Sequence, residues 1–322
     1  MSKYLAEIIF QTIVFYDILN YPLTSFEIWK YLIAVNEKWE IRSENIKCSL
    51  GDIARALENK ELKKYIEEFR GFYFLKGRRK LVEKRIQNSK NSIVKYKIAE
   101  RVTKWLQFVP FVRMVAVTGT LAMKNSKEKS DIDFLIILEK NRIFTGRLLV
   151  TLVIHFLGKR RYEDKIKNRI CLNYFITTKS LKIKKQNLFA ANEYSFIYPL
   201  FGFDLYKKFG KENIKWIKRY KPNFEFSELK PAKHFVEIKS LQKKIQNFFE
   251  GLINLFWGDR LESWLKKKQI ARIKRNPLTY KEEGYIEYTD ENLVFLPEPQ
   301  SRQIEEEWQK KLENLKIKLC NE

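Results

Sequence analysis

Hydrophobic residues recur at helical spacing over residues 4–19, YLAEIIFQTIVFYDIL, and predict a first helix that a following proline ends. A second helix is predicted over residues 25–33, with Thr24 or Ser25 as its N-cap. Glu27 is placed to complete a capping box with that residue. The chain therefore opens with two short, closely spaced helices.

A third short helix is predicted over residues 50–59, and two runs rich in aromatic residues follow over 63–69 and 71–75. The turn after them, KGRRK, is basic. Three helices followed by a basic hairpin is the order of a winged helix-turn-helix. The Tyr-Pro-Leu-Thr turn at residues 21–24 also resembles the opening of such domains. We therefore expect a winged-helix-like domain over residues 1–90.

The predicted wing carries six basic residues: Lys76, Arg78, Arg79, Lys80, Lys84 and Arg85. In DNA-binding winged helices, residues at this place contact phosphates. Winged helices also serve as protein-interaction modules, in which such a hairpin is simply solvated. The third helix leaves both alternatives open, because Arg55 and Asn59 could face a DNA groove while Asp52 and Glu58 lie beside them.

The most informative pattern lies at residues 112–138, after a helix predicted to end before Pro110. The β-branched run VRMVAV predicts a strand, Gly119 and Thr120 form the next turn, and LAMKNS begins a short helix. After a polar loop, the triplet from Asp131 to Asp133 opens a second strand. Residues two apart in a strand point to the same side, so these two aspartates are expected to project together near the turn.

Two carboxylates on one side of a strand can bind divalent cations. Magnesium prefers oxygen ligands and keeps several waters, so one or two carboxylates and the oxygens of a triphosphate suffice. A pair of such ions can activate an attacking oxygen and stabilise a leaving pyrophosphate. Gly119 lets the backbone approach phosphates, and the Thr120 hydroxyl and nearby amides can donate to them. We therefore expect Asp131 and Asp133 to bind two Mg²⁺ ions, or Mn²⁺, with an NTP as substrate.

The order of strand, Gly-Thr turn, ten intervening residues and Asp-Ile-Asp on a second strand resembles the DNA-polymerase-β nucleotidyltransferase superfamily. The stretch GTLAMKNSKEKSDIDFLIIL is most similar to small bacterial and archaeal nucleotidyltransferase-domain proteins, which usually have Ser in place of Thr120. The resemblance implies an α+β chain with a mixed-sheet core at residues 91–181. It also implies that Asp131 and Asp133 catalyse transfer of an NMP group to the hydroxyl of an unidentified acceptor.

Active members of that superfamily usually supply a third carboxylate from a later strand. The corresponding strand is predicted over residues 169–177, RICLNYFIT, with Asn173 at its central polar position. An amide can bind a metal weakly or orient a phosphate, but it cannot act as a general base. Glu193, in the next predicted helix, either replaces the missing acid or is a carboxylate favoured by the dipole at the helix N-terminus.

Basic residues surround the predicted helix that follows the Asp-Ile-Asp strand. Arg142 and Arg147 flank its start, and Lys159, Arg160 and Arg161 end it. Any of them could bind a triphosphate or an acidic acceptor, and Arg147 is our candidate nucleotide ligand together with Asn173. A basic cluster at the end of a helix also commonly satisfies the helix dipole. After residue 182 the pattern reads as helical, and a helical domain is predicted over residues 182–322.

Composition limits the partners. The 322 residues contain 63 Lys and Arg against 39 Asp and Glu, a net charge of +24 spread over the whole chain. This charge indicates either a polyanion-binding surface, with nucleic acid as a candidate partner, or simply lysine-rich residue usage. The three cysteines form no CxxC pair, which fits a reducing cytoplasm. The longest apolar stretch is too short to span a bilayer, so no membrane partner is expected.

Two other classes of function remain open from the sequence. One is a winged-helix DNA-binding regulator whose nucleotidyltransferase fold is degenerate, favoured by Asn173 and the basic wing. The other is an antitoxin-like protein that modifies or caps another protein. The enzyme needs a divalent metal, whereas the regulator keeps its DNA binding when Asp131 is replaced by alanine, and co-purification of a partner would reveal the antitoxin-like protein.

Overall fold

The computed structural model describes residues 2–35, 48–162, 164–226, 233–282, 284–297 and 300–320. The described residues form a mixed α+β structure with eleven α-helices and two sheets. In the N-terminal part the elements are α1 (Ser2–Ile18), β1 (Leu23–Thr24), α2 (Ser25–Lys30), α3 (Leu50–Leu57), β2 (Ile66–Phe69) and β3 (Phe72–Leu75). Strand β3 pairs antiparallel with both of the other strands, which gives the order β1-β3-β2.

The capping box of α2 forms as the sequence predicts. Of the two candidate caps, Thr24 is the one used: its hydroxyl accepts a hydrogen bond from the Glu27 amide at 3.3 Å. The Glu27 carboxylate in turn accepts one from the Thr24 amide at 2.9 Å. The helix is shorter than expected, ending at Lys30 instead of residue 33.

Helix α4 (Lys80–Leu106) joins the N-terminal part to the rest of the chain. It begins well before residue 93, where the sequence predicted a helix to start, and the boundary expected between residues 90 and 91 falls inside it. Its first half buries Asn88, Ser92 and, one turn later, Lys95. Because these inward-facing residues are polar, the hydrophobic period that identifies a helix is hidden there.

The remaining elements surround a six-stranded sheet. The strands are β4 (Val112–Val117), β5 (Ile132–Leu138), β6 (Ile170–Thr177), β7 (Tyr198–Phe201), β8 (Tyr285–Tyr288) and β9 (Asn292–Leu296). The helices are α5 (Gly119–Ala122), α6 (Ile143–Phe156), α7 (Leu188–Ser195), α8 (Phe203–Tyr220), α9 (Ser240–Phe256), α10 (Gly258–Lys274) and α11 (Ser301–Cys320). The strand order is β7-β4-β5-β6-β9-β8, with β5 and β6 parallel and every other pair antiparallel.

The helical domain expected over residues 182–322 is only partly helical, because three of the six strands lie there beside its five α-helices. Helix α7 ends at Ser195, and the chain continues as β7 along the edge of β4. The hairpin of β8 and β9 is built from YIEY and NLVFL, which are rich in aromatic and β-branched residues. These short strand signals lie between long helical segments. In the structure, the C-terminal part supplies β7, β8 and β9 and so completes the central sheet.

Side chains from the two faces of the sheet form two core layers. On one face, Leu135 and Ile137 pack in a cluster that includes residues of α1, α7, α8 and α11. On the other face, Phe134 and Ile136 pack with residues of α4, α6 and α10. Alternation along β5 places Asp133 on the first face, the one shared with the N-terminal helix. None of the described helices is both long and apolar enough to span a membrane.

Candidate active site

Asp131 and Asp133, here called the acid pair, lie where β5 begins and β4 ends. The Thr118 amide donates to the backbone oxygen of Asp133 at 3.1 Å, so the end of β4 and the start of β5 are joined beside the Gly119 turn. One ligand atom from each carboxylate and the sulfur of Cys171 all lie within 4.8 Å of one another. The structure therefore brings the two carboxylates together, as strand alternation predicts.

Gly119 lies close to the Asp133 side chain of this pair. Its φ is +64°, a conformation that residues with a side chain rarely adopt. A Cβ atom at this position would lie 2.8 Å from Oδ2 of Asp133. Thr120 is exposed next to it, and the Thr120 carbonyl accepts a hydrogen bond from the Asn125 amide at 2.8 Å. The turn thus approaches the Asp133 carboxylate closely and leaves the exposed Thr120 beside it.

The surroundings of the acid pair raise the pKa of one of its two members, Asp133. Burial, and secondly the charge of Asp131, raise the pKa of Asp133 to about 7. The charge of Arg161 and hydrogen bonds from Cys171 and Asn173 act in the opposite direction and only partly compensate. Asp133 is therefore partly protonated near neutral pH, and a bound divalent cation would favour its charged form.

Arg161 is the cation that the structure places at the acid pair. Its Nη1 lies 2.6 Å from Oδ2 of Asp131 and 3.5 Å from the sulfur of Cys171. The guanidinium remains nearly half exposed, whereas the Asp131 carboxylate is mostly buried. Arg161 follows α6, where the sequence left open whether the basic cluster binds phosphate or satisfies a helix dipole. Its contact with Asp131 adds a third role, that of counter-ion.

The structure does not bring Arg147 to the acid pair. Its Nη1 donates to Gln269 at 2.7 Å, and its guanidinium lies 4.7 Å from the ring of Phe295, which belongs to the core layer on the other face of the sheet. Arg142 is similarly engaged, with Asp259 at 2.6 Å. Both arginines connect α6 with α10, because Gln269 and Asp259 belong to that helix. The sequence places them on the right helix but does not show which face of the sheet that helix covers.

A bulge in β6 changes which residue lies opposite the acid pair. Asp133 is paired with Cys171, and the next pair is Leu135 with Tyr174, so β6 has one extra residue at this point. Asn173 still reaches the site, with its Nδ2 3.4 Å from Oδ1 of Asp133. The residue paired with Asp133 is therefore a thiol, which the sequence did not indicate. Burial, followed by the charges of Asp133 and Asp131, raises the pKa of Cys171 to about 12, so this thiol is neutral at pH 7.

Glu193 lies near the end of α7 and not at its start. Helix α7 begins at Leu188 after the N-cap Asn187, and the Phe196 amide that closes it donates to the Glu193 carbonyl. The helix dipole at an N-terminus therefore does not account for this carboxylate. Burial, and secondly the charge of Asp133, raise the pKa of Glu193 to about 7. Glu193 thus lies within electrostatic reach of the acid pair, on the same face of the sheet.

Lys95, which the sequence did not single out, anchors the loop that leads to Asp131. Its buried ammonium donates to the backbone oxygens of Glu128 and Ser130, at 3.1 and 2.7 Å, and to the side-chain oxygen of Asn168 at 2.9 Å. The first two acceptors precede Asp131, and Asn168 precedes β6. Burial lowers the pKa of Lys95, opposed by the charge of Asp131. The sequence signal is the spacing of Asn88, Ser92 and Lys95 on one face of α4.

Several basic residues of the predicted wing make internal contacts. Arg79 lies 3.7 Å from the centre of the Phe69 ring, and Arg85 forms an ion pair with Glu27 at 2.5 Å. Arg78 lies 3.3 Å from Asp17. The exposed cations of this surface are Lys76, Arg79, Lys80 and Lys84. Half of the predicted basic wing is therefore explained by packing within the N-terminal part.

Comparisons of the chain with protein-family models, with curated proteins and with solved structures found no match. The chemistry of the residues described above is therefore what indicates a function.

Proposed function

We propose that this chain is a metal-dependent nucleotidyltransferase that transfers an NMP group from an NTP to a hydroxyl group and releases pyrophosphate. The observation that carries the proposal is the convergence of the Asp131 and Asp133 carboxylates beside the Gly119 turn. The order β4, turn, α5, β5, with β6 parallel to β5, supports a polymerase-β-like core. In the N-terminal part, three helices and the β1-β3-β2 sheet support a winged helix.

The donor set fits a divalent cation. Carboxylate oxygens are the ligands that Mg²⁺ and Mn²⁺ prefer, and the two aspartates would hold the ion. The neutral Cys171 thiol is a poor ligand for such hard ions. When bound, the ion would neutralise charge on the reacting phosphate and on the leaving pyrophosphate. The acid pair supports one cation directly, and a second cation has less support because Cys171 and Asn173 occupy the neighbouring positions.

The other residues of the site have distinct roles in this proposal. Gly119 leaves space for the triphosphate, and the exposed Thr120 hydroxyl donates a hydrogen bond to it. Arg161 exchanges its contact with Asp131 for the triphosphate, because a guanidinium binds phosphate oxygens in a bidentate manner. Glu193 accepts the proton of the acceptor hydroxyl, since a carboxylate with a pKa of about 7 suits general base catalysis at neutral pH.

The test is nucleotide transfer with each of the four α-labelled NTPs, in Mg²⁺ and then in Mn²⁺. Released pyrophosphate and newly labelled products are measured together, using candidate acceptors that contain hydroxyl groups. We expect metal-dependent transfer that the Asp131→Asn/Asp133→Asn variant loses by about 10³-fold, the scale on which charge-stabilising groups act in catalysis. The matched control is Asp290→Asn, which removes an aspartate from an exposed ion pair with Lys266. Equal transfer by the double variant would contradict the proposal.

A second function is favoured by a specific feature of the site. Cys171 and Asn173 lie where a third carboxylate is expected, and Arg161 already neutralises Asp131. These features suit a DNA-binding regulator with an inactive site. Its test is duplex DNA binding over a series of salt concentrations. The Lys76→Ala/Lys84→Ala variant should weaken binding and reduce the salt slope by about two, while Lys208→Ala should not.

A further inference from the structure

Helix α9 packs with its polar side against the protein. The Gln246 amide donates to the backbone oxygens of Val109 and Val112, at 2.8 and 3.1 Å. The Glu250 carboxylate accepts two hydrogen bonds from the Arg113 guanidinium, both at 2.8 Å. The one fully buried side chain described within α9 is that of Gln246. This orientation is the reverse of the usual one, in which an amphipathic surface helix buries its apolar stripe.

The opposite side of α9 is apolar and exposed. Its large side chains have exposed fractions between 47% and 77% in the described structure. They form what we call the α9 apolar face: Leu241, Phe248, Phe249, Leu255, Phe256 and, at the C-cap, Trp257. A contiguous exposed surface of this kind usually marks an interaction site.

The spacing of these residues is that of a helix-pairing stripe. Together with the partly buried Ile245 and Leu252, the residues Leu241, Phe248 and Leu255 follow each other at alternating intervals of four and three. This is the period at which one helix packs along another. Leu241 and Leu255 each lie seven residues from Phe248, so an antiparallel pair of α9 helices centred on Phe248 would place Leu241 of each helix opposite Leu255 of the other. In a two-fold interface the same surface of each copy meets its counterpart in this way.

We propose that the α9 apolar face binds the same face of a second copy of this chain, with the two α9 helices antiparallel and crossing at Phe248. Burying the six side chains of this face would remove on the order of 700 Å² of exposed surface per copy. A fully buried aromatic residue contributes about 150–250 Å², and these side chains are exposed by about half to three quarters. A standard stable interface needs about 800 Å² per partner. The available area is therefore close to the size that a homodimer needs and includes four aromatic residues, the type enriched in protein interfaces.

The charges of α9 do not oppose pairing with a second copy. The charged residues of α9 are Lys243, Lys244 and Glu250, and Glu250 is bound to Arg113. In an antiparallel pair centred on Phe248, Lys244 faces Leu252 of the partner helix and not the partner's own lysine. The helix can therefore meet a copy of itself without like charges in contact. A membrane-surface helix, by contrast, usually carries many lysines along its polar face, and that side of α9 is occupied by the protein.

The dimer is independent of the proposed chemistry, and its test is the molar mass of the complete chain in solution. We expect sedimentation equilibrium to give a dimer for the wild type and a dissociation constant raised by about 100-fold or more for Phe248→Glu/Leu255→Glu. The matched control is Phe26→Glu, which changes a half-exposed phenylalanine on α2 and should leave the dimer intact. Circular dichroism checks that each variant is folded.

Cysteine cross-linking tests the antiparallel arrangement. Under mild oxidation Phe248→Cys should form a covalent dimer, because the two positions meet at the axis within the range that a disulfide spans. Leu241→Cys and Leu255→Cys should cross-link only when the two variants are mixed, with the wild type showing the background from native cysteines. A wild-type monomer at every concentration, or a dimer that survives Phe248→Glu/Leu255→Glu, would overturn the proposal. Binding to anionic vesicles by a wild-type monomer would also overturn it.

Discussion

Gly119 and Asp133 are so close that a Cβ atom added to Gly119 would lie 2.8 Å from Oδ2 of the aspartate. The residues are fourteen positions apart in the chain, yet the Thr118 amide bonded to the Asp133 carbonyl fixes their separation. The turn and the carboxylate are therefore parts of one local structure. A substitution at Gly119 should therefore displace the Asp133 carboxylate even though it removes no polar group.

We predict that Gly119→Ala lowers nucleotide transfer by about 10²-fold, since an error of about 1 Å in a reactive group costs that much. It should also destabilise the chain by about 1–2 kcal/mol through backbone strain. The matched control is Gly77→Ala: Gly77 has a similar φ of +79°, but nothing lies within 4 Å of an added Cβ. Thermal unfolding should show similar losses for the two variants, while only Gly119→Ala loses activity. Equal transfer activity of Gly119→Ala and Gly77→Ala would show that the close approach of Gly119 to Asp133 has no role in catalysis.

The raised pKa of Glu193 predicts a pH-dependent stability. Its pKa is about 7 in the folded chain, against 4.5 as its ordinary value, so the folded state holds this proton more tightly than the unfolded state. The contribution of this tighter proton binding to the free energy of unfolding is fully present below about pH 4.5, and it is lost as the pH rises through 7. Glu193→Gln should therefore raise Tm at pH 8 by about 2–4 °C, the shift that 1 kcal/mol produces in a large domain, and have little effect at pH 5. An equal change at both pH values, as expected for the exposed Glu212→Gln, would contradict the assignment.

Arg161 should matter for nucleotide affinity more than for turnover. If its guanidinium moves from Asp131 to the triphosphate, Arg161→Gln raises KM for the NTP by about 10-fold or more, the loss of one charge-assisted contact. The value of kcat should change less. Arg101→Gln, an exposed arginine on α4, is the control. An unchanged KM would show that Arg161 serves only as a counter-ion of Asp131.

Lys95 should position the loop before Asp131, and the chain offers a matched buried lysine for comparison. Lys221 is also buried, and its ammonium donates to Tyr16 and Asn192, both at 2.7 Å. Replacing either lysine by methionine leaves buried acceptors unsatisfied and should cost about 1–3 kcal/mol. Only Lys95→Met should also weaken Mn²⁺ binding, by about 10-fold, with partial recovery in Lys95→Arg. Equal weakening of Mn²⁺ binding in Lys221→Met would show that Lys95 contributes to the stability of the chain and has no specific effect on the metal site.

Local patterns in the sequence predicted the parts of the structure that depend on neighbouring residues. The capping box of Thr24 and Glu27 is visible because its partners are three positions apart. The alternation that places Asp131 and Asp133 together is equally local. The position of Glu193 in α7 was misjudged because the capping residue Asn187 was overlooked.

Features that depend on long-range packing could not be predicted in this way. The pairing of Asp133 with Cys171 depends on a bulge, which shifts the register by one residue without any glycine or proline to mark it. Arg147 has the right charge on the right helix, but only the packing of α6 shows that it faces the other core layer. The exposed apolar side of α9 is likewise invisible in the sequence, since its period is that of an ordinary buried helix.

The most direct test of the proposed nucleotidyltransferase site is calorimetric titration of the chain with each NTP in the presence of Mg²⁺ or Mn²⁺, which needs no knowledge of the acceptor. We predict metal-dependent binding of at least one NTP by the wild type and by Asp290→Asn. The Asp131→Asn/Asp133→Asn variant should bind it about 100-fold more weakly, the scale of two lost contacts to a charged ligand. Failure of the wild type to bind any NTP with either metal, or equal binding by the double variant, would contradict the site.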